Sequence, residues 1–162
     1  DRAMTLATRF LAILLAGSTL GLAACSNSGH DGPVAASGLA LVPLTITQGT
    51  QVHRFNVEVA ASPSEQERGL MMRTSLAPDT GMIFPFDPPK FASFWMKDTL
   101  IPLDLFFIRA DGSIDRIAEN AAPESLEPIV SGGEVAAVLE LAGGSAARLG
   151  LDESAKVSWQ KP

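Results

Sequence analysis

The chain has no tyrosine, a single cysteine and only two histidines, and each shortage removes a class of chemistry. Cys25 has no second cysteine to pair with, and the residues after it hold no thiol nucleophile and no thiolate metal ligand. A histidine-rich zinc site is excluded by count. A Ser-His-Asp triad would have to use His53, since His30 falls in a Gly/Ser-rich stretch, and no Gly-x-Ser-x-Gly elbow accompanies it. Gly143-Gly144 lacks the Lys-Ser/Thr pair of a phosphate loop, so neither metal nor nucleotide nor any other cofactor is expected. Basic residues are also in deficit. Twelve Lys and Arg stand against eighteen Asp and Glu, for a net charge of -6, and no Lys/Arg cluster interrupts the chain, which argues against nucleic acid as a partner.

Apolar runs long enough to span a bilayer are missing too, but a shorter one stands at the start. Arg2 and Arg9 give a positive beginning, residues 10–15 and 17–22 an apolar stretch broken by Gly and Ser, and small residues surround Cys25. Leu22-Ala23-Ala24-Cys25 resembles the bacterial lipobox, in which the cysteine is lipidated and the preceding leader removed. Residues 1–24 are therefore read as a lipoprotein signal peptide. The expected chain from Cys25 onward has 138 residues, ten basic and seventeen acidic, enough for one core and not two. Each buried methylene of an acyl chain contributes about 0.8 kcal/mol, so two or three chains hold firmly to a membrane. Ser26 after the cysteine resembles the pattern of lipoproteins sent to the outer membrane, and the expected location is its periplasmic face.

Residues 25–43 are rich in Ser, Gly, Ala and Pro and read as a flexible tether; the domain is expected to run from 44 to 162 as a monomer. Within it the apolar period is mostly two. His53, Phe55, Val57 and Val59 alternate with Arg54, Asn56 and Glu58, the pattern of a strand with one buried face, which makes His53 a core or edge histidine. Ser62-Pro63-Ser64-Glu65 is a capping-box helix start, and Gly69 its stop. Residues 81–86 and 91–97 read as two strands joined by an Asp87-Pro88-Pro89-Lys90 turn. Residues 103–108 are apolar on both faces except at Asp104, so this strand is expected to be buried. Asp111-Gly112 is a hairpin turn into a strand at 113–118. A strand at 136–141, a short helix at 146–149 ended by Gly150 and a last strand at 156–160 follow. Many short strands between turn residues predict a mainly β fold, a small β-sandwich or barrel of jelly-roll type with one or two short helices.

Five segments in order carry a more specific signal: Gly69-Leu70-Met71-Met72-Arg73, Gly81-Met82-Ile83-Phe84, Phe94-Trp95-Met96-Lys97-Asp98-Thr99, Ile101-Pro102-Leu103-Asp104 and Val138-Leu139-Glu140-Leu141. Over residues 52–159 the series resembles the domain of unknown function 192 family. The resemblance implies a small jelly-roll-type β-sandwich with minor helices, and no established activity, cofactor or catalytic residue. In one place the chain departs from it, carrying Glu153-Ser154-Ala155 where members have a Gly-Asp pair before the final strand.

The candidate site residues are the polar ones set inside apolar sequence: Arg73, Trp95, Lys97, Thr99, Asp104 and Glu140. A buried charge is costly unless paired, so Asp104 is expected to meet Arg73 or Lys97 beside Trp95. One outcome is a structural ion-pair network. Another is a cleft in which Trp95 stacks on a ligand and the charges orient it. Asp104 and Glu140 are also a possible carboxylate pair for glycoside hydrolysis. Met71, Met72, Met82 and Met96 are read as core filling and not as soft-metal ligands. The leading expectation is a non-catalytic binding or accessory module for a saccharide or other small envelope ligand, attached to the membrane through Cys25. An envelope hydrolase using Asp104 and Glu140 and a purely structural or protein-interaction lipoprotein are the alternatives.

Overall fold

The computed structural model describes residues 33–161; the leader, Cys25 and the first part of the expected tether lie outside them. The first two strands, β1 (Leu41–Gln48) and β2 (Gln51–Val59), pair antiparallel around a turn in which Gly49 takes a φ of 57°. Helix α1 (Pro63–Arg68) follows, then β3 (Thr80–Phe94), β4 (Leu103–Ile108), β5 (Ile114–Ala121), β6 (Ile129–Ala142), α2 (Ser145–Leu149) and β7 (Lys156–Trp159). The seven strands form one mixed sheet in the order β5-β4-β6-β3-β2-β1-β7, antiparallel except where β2 and β3 run parallel. The fold is mainly β, as expected. Its edges meet: Ser113, just before β5, bridges Lys156 at the start of β7, and the Val157 N–H donates to the Gly112 carbonyl at 2.8 Å. The two edges of the curled sheet thus touch at one point, which gives an open, barrel-like fold.

Closure explains the burial pattern. Side chains from all seven strands fill the interior, including Ile46, Val57, Ile83, Phe106, Ile114, Leu139 and Val157. A second apolar cluster covers the outer face of β3, β4 and β6, where Met82, Phe84, Leu105, Phe107 and Val138 pack under Leu70 and Met96 from the connecting loops. Strand β4 is consequently buried along its whole length, in line with its apolar sequence. A fully buried Leu, Ile or Phe contributes about 1.5–3 kcal/mol, so a strand buried on both faces is among the most strongly held parts of the chain.

Local signals are realised at α1. The Ser62 hydroxyl accepts from the Glu65 N–H, the Glu65 carboxylate accepts from the Ser62 N–H at 2.7 Å, and the Gly69 N–H caps the end on the Glu65 carbonyl. The backbone donors at Ser62 hold the Glu65 carboxyl below its ordinary range. The Asp111-Gly112 turn also forms, with Gly112 at φ 83°.

Two expectations are corrected. The Asp87–Lys90 segment is not a turn between two strands. β3 is a single strand of 15 residues, and between Pro85 and Lys90 it advances five positions while its partner β6 advances two, from Ala137 to Val135. A 14-residue β6 gives both halves a common partner, so the prolines are absorbed in a bulge. The expected tether is also too long at its C-terminal end. β1 begins at Leu41, the Leu41 N–H donates to the Pro33 carbonyl and Val34 bridges Ala40. Pro43 is tolerated because β7 joins β1 only from Leu44 onward, leaving one side of β1 unpaired at Pro43.

Candidate functional site

Strand β6 carries the central residue. Apolar side chains cover both faces of this strand along residues 135–141, so simple in-out alternation of apolar and polar residues does not describe it. Leu139 and Leu141 point to the interior, while Glu140 points outward with Val138. The cross-strand neighbours of Glu140 are Met82 of β3 and Leu105 of β4, so the carboxyl group emerges among apolar side chains. Glu140 is only 5% exposed. Among the described residues no ion pair reaches its carboxyl group, and its oxygens are not wholly enclosed by protein. Burial alone pushes its pKa from 4.5 to about 8, because an unpaired charge is costly in low dielectric.

Glu140 lines a cavity of about 250 Å³. Phe84, Phe86 and Phe94 of β3 supply one wall, with Phe94 edge-on to Phe84 at 5.1 Å and to Phe107 at 6.3 Å. Leu70 and Met71, just after α1, supply another. The Gln66 amide of α1 donates to the Ala60 and Pro85 carbonyls at 3.1 and 2.9 Å, fixing the helix against the β3 bulge. Gly69 allows a close approach, since a Cβ there would lie 3.2 Å from the Phe84 ring. At the mouth stand Trp95, 49% exposed, and Phe91, 69% exposed. Exposed aromatic faces above a polar floor are the usual means of seating a small ligand.

Three of the six sequence candidates come together here: Trp95, Thr99 and Glu140 all line the cavity. Thr99 is buried, and its hydroxyl donates to the Lys97 carbonyl at 3.1 Å, which sets the loop carrying Trp95. Lys97 does not line the cavity; its ammonium lies 5.3 Å from the centre of the Trp95 ring. Arg73 lies elsewhere and pairs with Glu58 at 2.8 Å, where the Ser37 hydroxyl also donates to the same carboxylate. Glu58 does not stand out in the sequence because it alternates with core residues like a solvent-facing side chain; it is the returning N-terminal segment that buries it.

Asp104 overturns the expected cluster. It meets neither Arg73 nor Lys97 and does not lie beside Trp95. Its side chain points away from Glu140, because Asp104 pairs with Leu141 and Leu105 with Glu140, which puts the two carboxyls on opposite faces of the sheet. There its oxygens accept three backbone hydrogen bonds, from Asn120 at 2.8 Å, Gly144 at 3.0 Å and Ala146 at 2.8 Å. The carboxylate thus joins β5 to the start of α2 through peptide donors in place of a cation. A glycosidase pair needs both carboxyls on one cleft, and Asp104 with Glu140 does not supply it.

Sequence reasoning missed the phenylalanine wall, Gln66, Arg68 and Lys90. The signal available was the Phe84-Pro85-Phe86 and Phe91 spacing, but only the β3 bulge brings these rings to one side. Met82 and Met96 are fully buried in the outer cluster. His53 is half-buried on β2, with its Nε2 unpartnered among the described residues. No group of three His, Cys, Asp or Glu side chains converges among the described residues.

Two solved structures and one family model are similar to this chain. A crystal structure of a protein of unknown function from Novosphingobium aromaticivorans DSM 12444 is similar at 45% identity and a TM-score of 0.76, over 78% of this chain and 91% of that one. Another, from Sinorhizobium meliloti 1021 and described as a "putative transcription regulator", is similar at 40% identity and a TM-score of 0.73, over 75% of this chain and 95% of that one. No curated protein matches. Residues 44–159 match the family model described as Uncharacterized ACR, and the chain therefore belongs to the domain of unknown function 192 (DUF192) family.

Proposed function

We propose that this chain is an envelope lipoprotein, held by lipid on Cys25 at the periplasmic face of the outer membrane, whose domain is a non-catalytic binding module for a saccharide or other small envelope ligand. The observation that carries the reading is Glu140: a side chain 5% exposed, with no ion pair among the described residues, lining an aromatic cavity. Burying such a group costs stability, and a fold that retains it in a cavity wall gains something other than stability from it. The volume suits a single sugar ring, and Trp95 offers the exposed face on which such rings stack. The description of the Sinorhizobium protein as a regulator does not suggest a nucleic-acid role for this chain, whose acidic residues outnumber its basic ones.

Thermal unfolding of the purified full chain in detergent, with a panel of mono- and disaccharides, tests the reading. A ligand at 100 times its Kd raises stability by about 2.7 kcal/mol. A saccharide that raises the Tm of the parent and leaves that of Trp95→Ala unmoved supports the proposal. A shift of equal size in the parent, Trp95→Ala and Glu140→Gln would place the ligand elsewhere and defeat it.

A further inference from the structure

Basic side chains stand at the cavity mouth. Arg68 of α1 and Lys90 of β3 line it, and Lys97 stands beside Trp95. None of the three makes an ion pair among the described residues. Lys90 lies 4.3 Å from the centre of the Phe86 ring, so it is held at the rim and not extended away into solvent. On a chain of net charge -6, two cations lining the opening and a third against the Trp95 ring beside it, none ion-paired among the described residues, form a local positive field that favours an anion and disfavours an ammonium ligand. Glu67 is the one acid at the rim, and Glu140 is the one at the floor.

The floor is complementary in a different sense. The cross-strand neighbours of Glu140, Met82 and Leu105, are apolar, no ion pair among the described residues holds its carboxyl group ionised, and its burial raises the pKa to about 8, which favours the protonated form at neutral pH. A neutral carboxylic acid in such a place donates a hydrogen bond, as a carboxylate cannot.

Resting on the reading that the pocket binds a small envelope saccharide, we propose that the ligand is a saccharide acid: its ring lies on Trp95, its anionic group among Arg68, Lys90 and Lys97, and one of its oxygens accepts a hydrogen bond from the Glu140 carboxyl group. The rim selects the charge and the floor selects the hydroxyl or carbonyl. Three solvent-exposed cations, each contributing modestly, multiply to about a tenfold preference over the uncharged ring.

Three sugars that differ chiefly in charge make the test: glucuronate, glucose and glucosamine, each titrated into the full chain by calorimetry. Glucuronate is expected to bind with a Kd about tenfold below that of glucose, glucosamine more weakly than either, and the preference to shrink in about 0.5 M salt. The Arg68→Gln, Lys90→Gln, Lys97→Gln triple variant, checked by its Tm for intact folding, should bind glucuronate and glucose alike. The second arm follows pH. Glu140 and Glu67 are the acids facing the cavity and Arg68 and Lys90 the bases, while β4 presents Leu105 and Phe107, which do not titrate. Glucuronate affinity should therefore fall as pH rises through about 8 in the parent, as the donor is lost and an anion appears beneath an anionic ligand. Glu140→Gln keeps a donor and should bind glucuronate with a flat profile. Glucose or glucosamine binding as tightly as glucuronate, or an unchanged pH profile in Glu140→Gln, overturns the inference while leaving saccharide binding intact. Failure of all three sugars to bind overturns both.

Discussion

Replacing Glu140 by glutamine should make the protein more stable at neutral pH, and the structure gives the size of the gain. The carboxyl group titrates near 4.5 in the unfolded chain and at about 8 in the folded one, because burial penalises its ionised form. Between those values the folded state holds a proton that the unfolded state has released, so the parent loses stability as pH rises through the window. The loss is complete above about pH 8, where about 3.5 pH units correspond to about 5 kcal/mol, and at pH 7 it is about 3 kcal/mol. Glutamine has the same shape and no charge to bury. Parent and variant should therefore unfold together at pH 4 and separate as pH rises, the variant melting on the order of 10 °C higher at pH 7. Lowered carboxylate pKa values at Glu65, Asp111 and Asp152 act below about pH 4.5 and are common to both proteins, so they cancel in the difference. Urea titrations of both proteins from pH 4 to 9 measure it. Parallel curves across that range would show that Glu140 is ionised at no cost in the folded state, and the account of the cavity floor would be wrong.

Asp104→Asn should cost about 3 kcal/mol in urea titration, because one amide oxygen cannot replace two carboxylate oxygens that accept three peptide N–H groups, and the new NH₂ faces a donor; a loss under about 1 kcal/mol would deny Asp104 its role at α2. Gly112→Val should destabilise by at least about 2 kcal/mol, since φ is 83° and a Cβ would lie 2.5 Å from the Val157 carbonyl oxygen. Gly112→Ala should cost nearly as much because the collision begins at Cβ, and a fully stable alanine variant would mean that β7 does not dock there. Cys25→Ala should yield a protein that takes up no fatty-acid label and no longer sediments with membranes; unchanged sedimentation would remove the anchor.

The parts legible in the sequence are those decided by neighbouring residues. Ser62 and Glu65 can satisfy each other's backbone within four positions, and Gly112 announces a positive φ whatever surrounds it. The apolar run at β4 likewise declares burial on both faces. What could not be read depends on partners far along the chain. Arg73 finds Glu58 fifteen positions earlier, and Ser37 reaches the same carboxylate from the segment expected to be loose. A cation is the expected partner of Asp104, but a buried carboxylate is equally well served by peptide donors, and the backbone N–H groups of Asn120 in β5 and of Gly144 before α2 leave no mark in the side-chain sequence. The cavity was half visible for the same reason. Trp95, Thr99 and Glu140 stand out as polar or amphipathic residues within apolar sequence, whereas its phenylalanines look like any other core.

The pairing of the first strand with the last, Leu44 opposite Trp159, also governs when the protein can fold. Until residue 159 has emerged, β1 lacks one neighbour and the sheet cannot close through Gly112 and Val157. Pairings so distant in sequence form slowly, because the loop between them must be closed before any contact rewards it. The strand pairing that joins β1 to β7 is therefore expected to form late in folding, after the local hairpin of β1 and β2 and the local hairpin of β4 and β5.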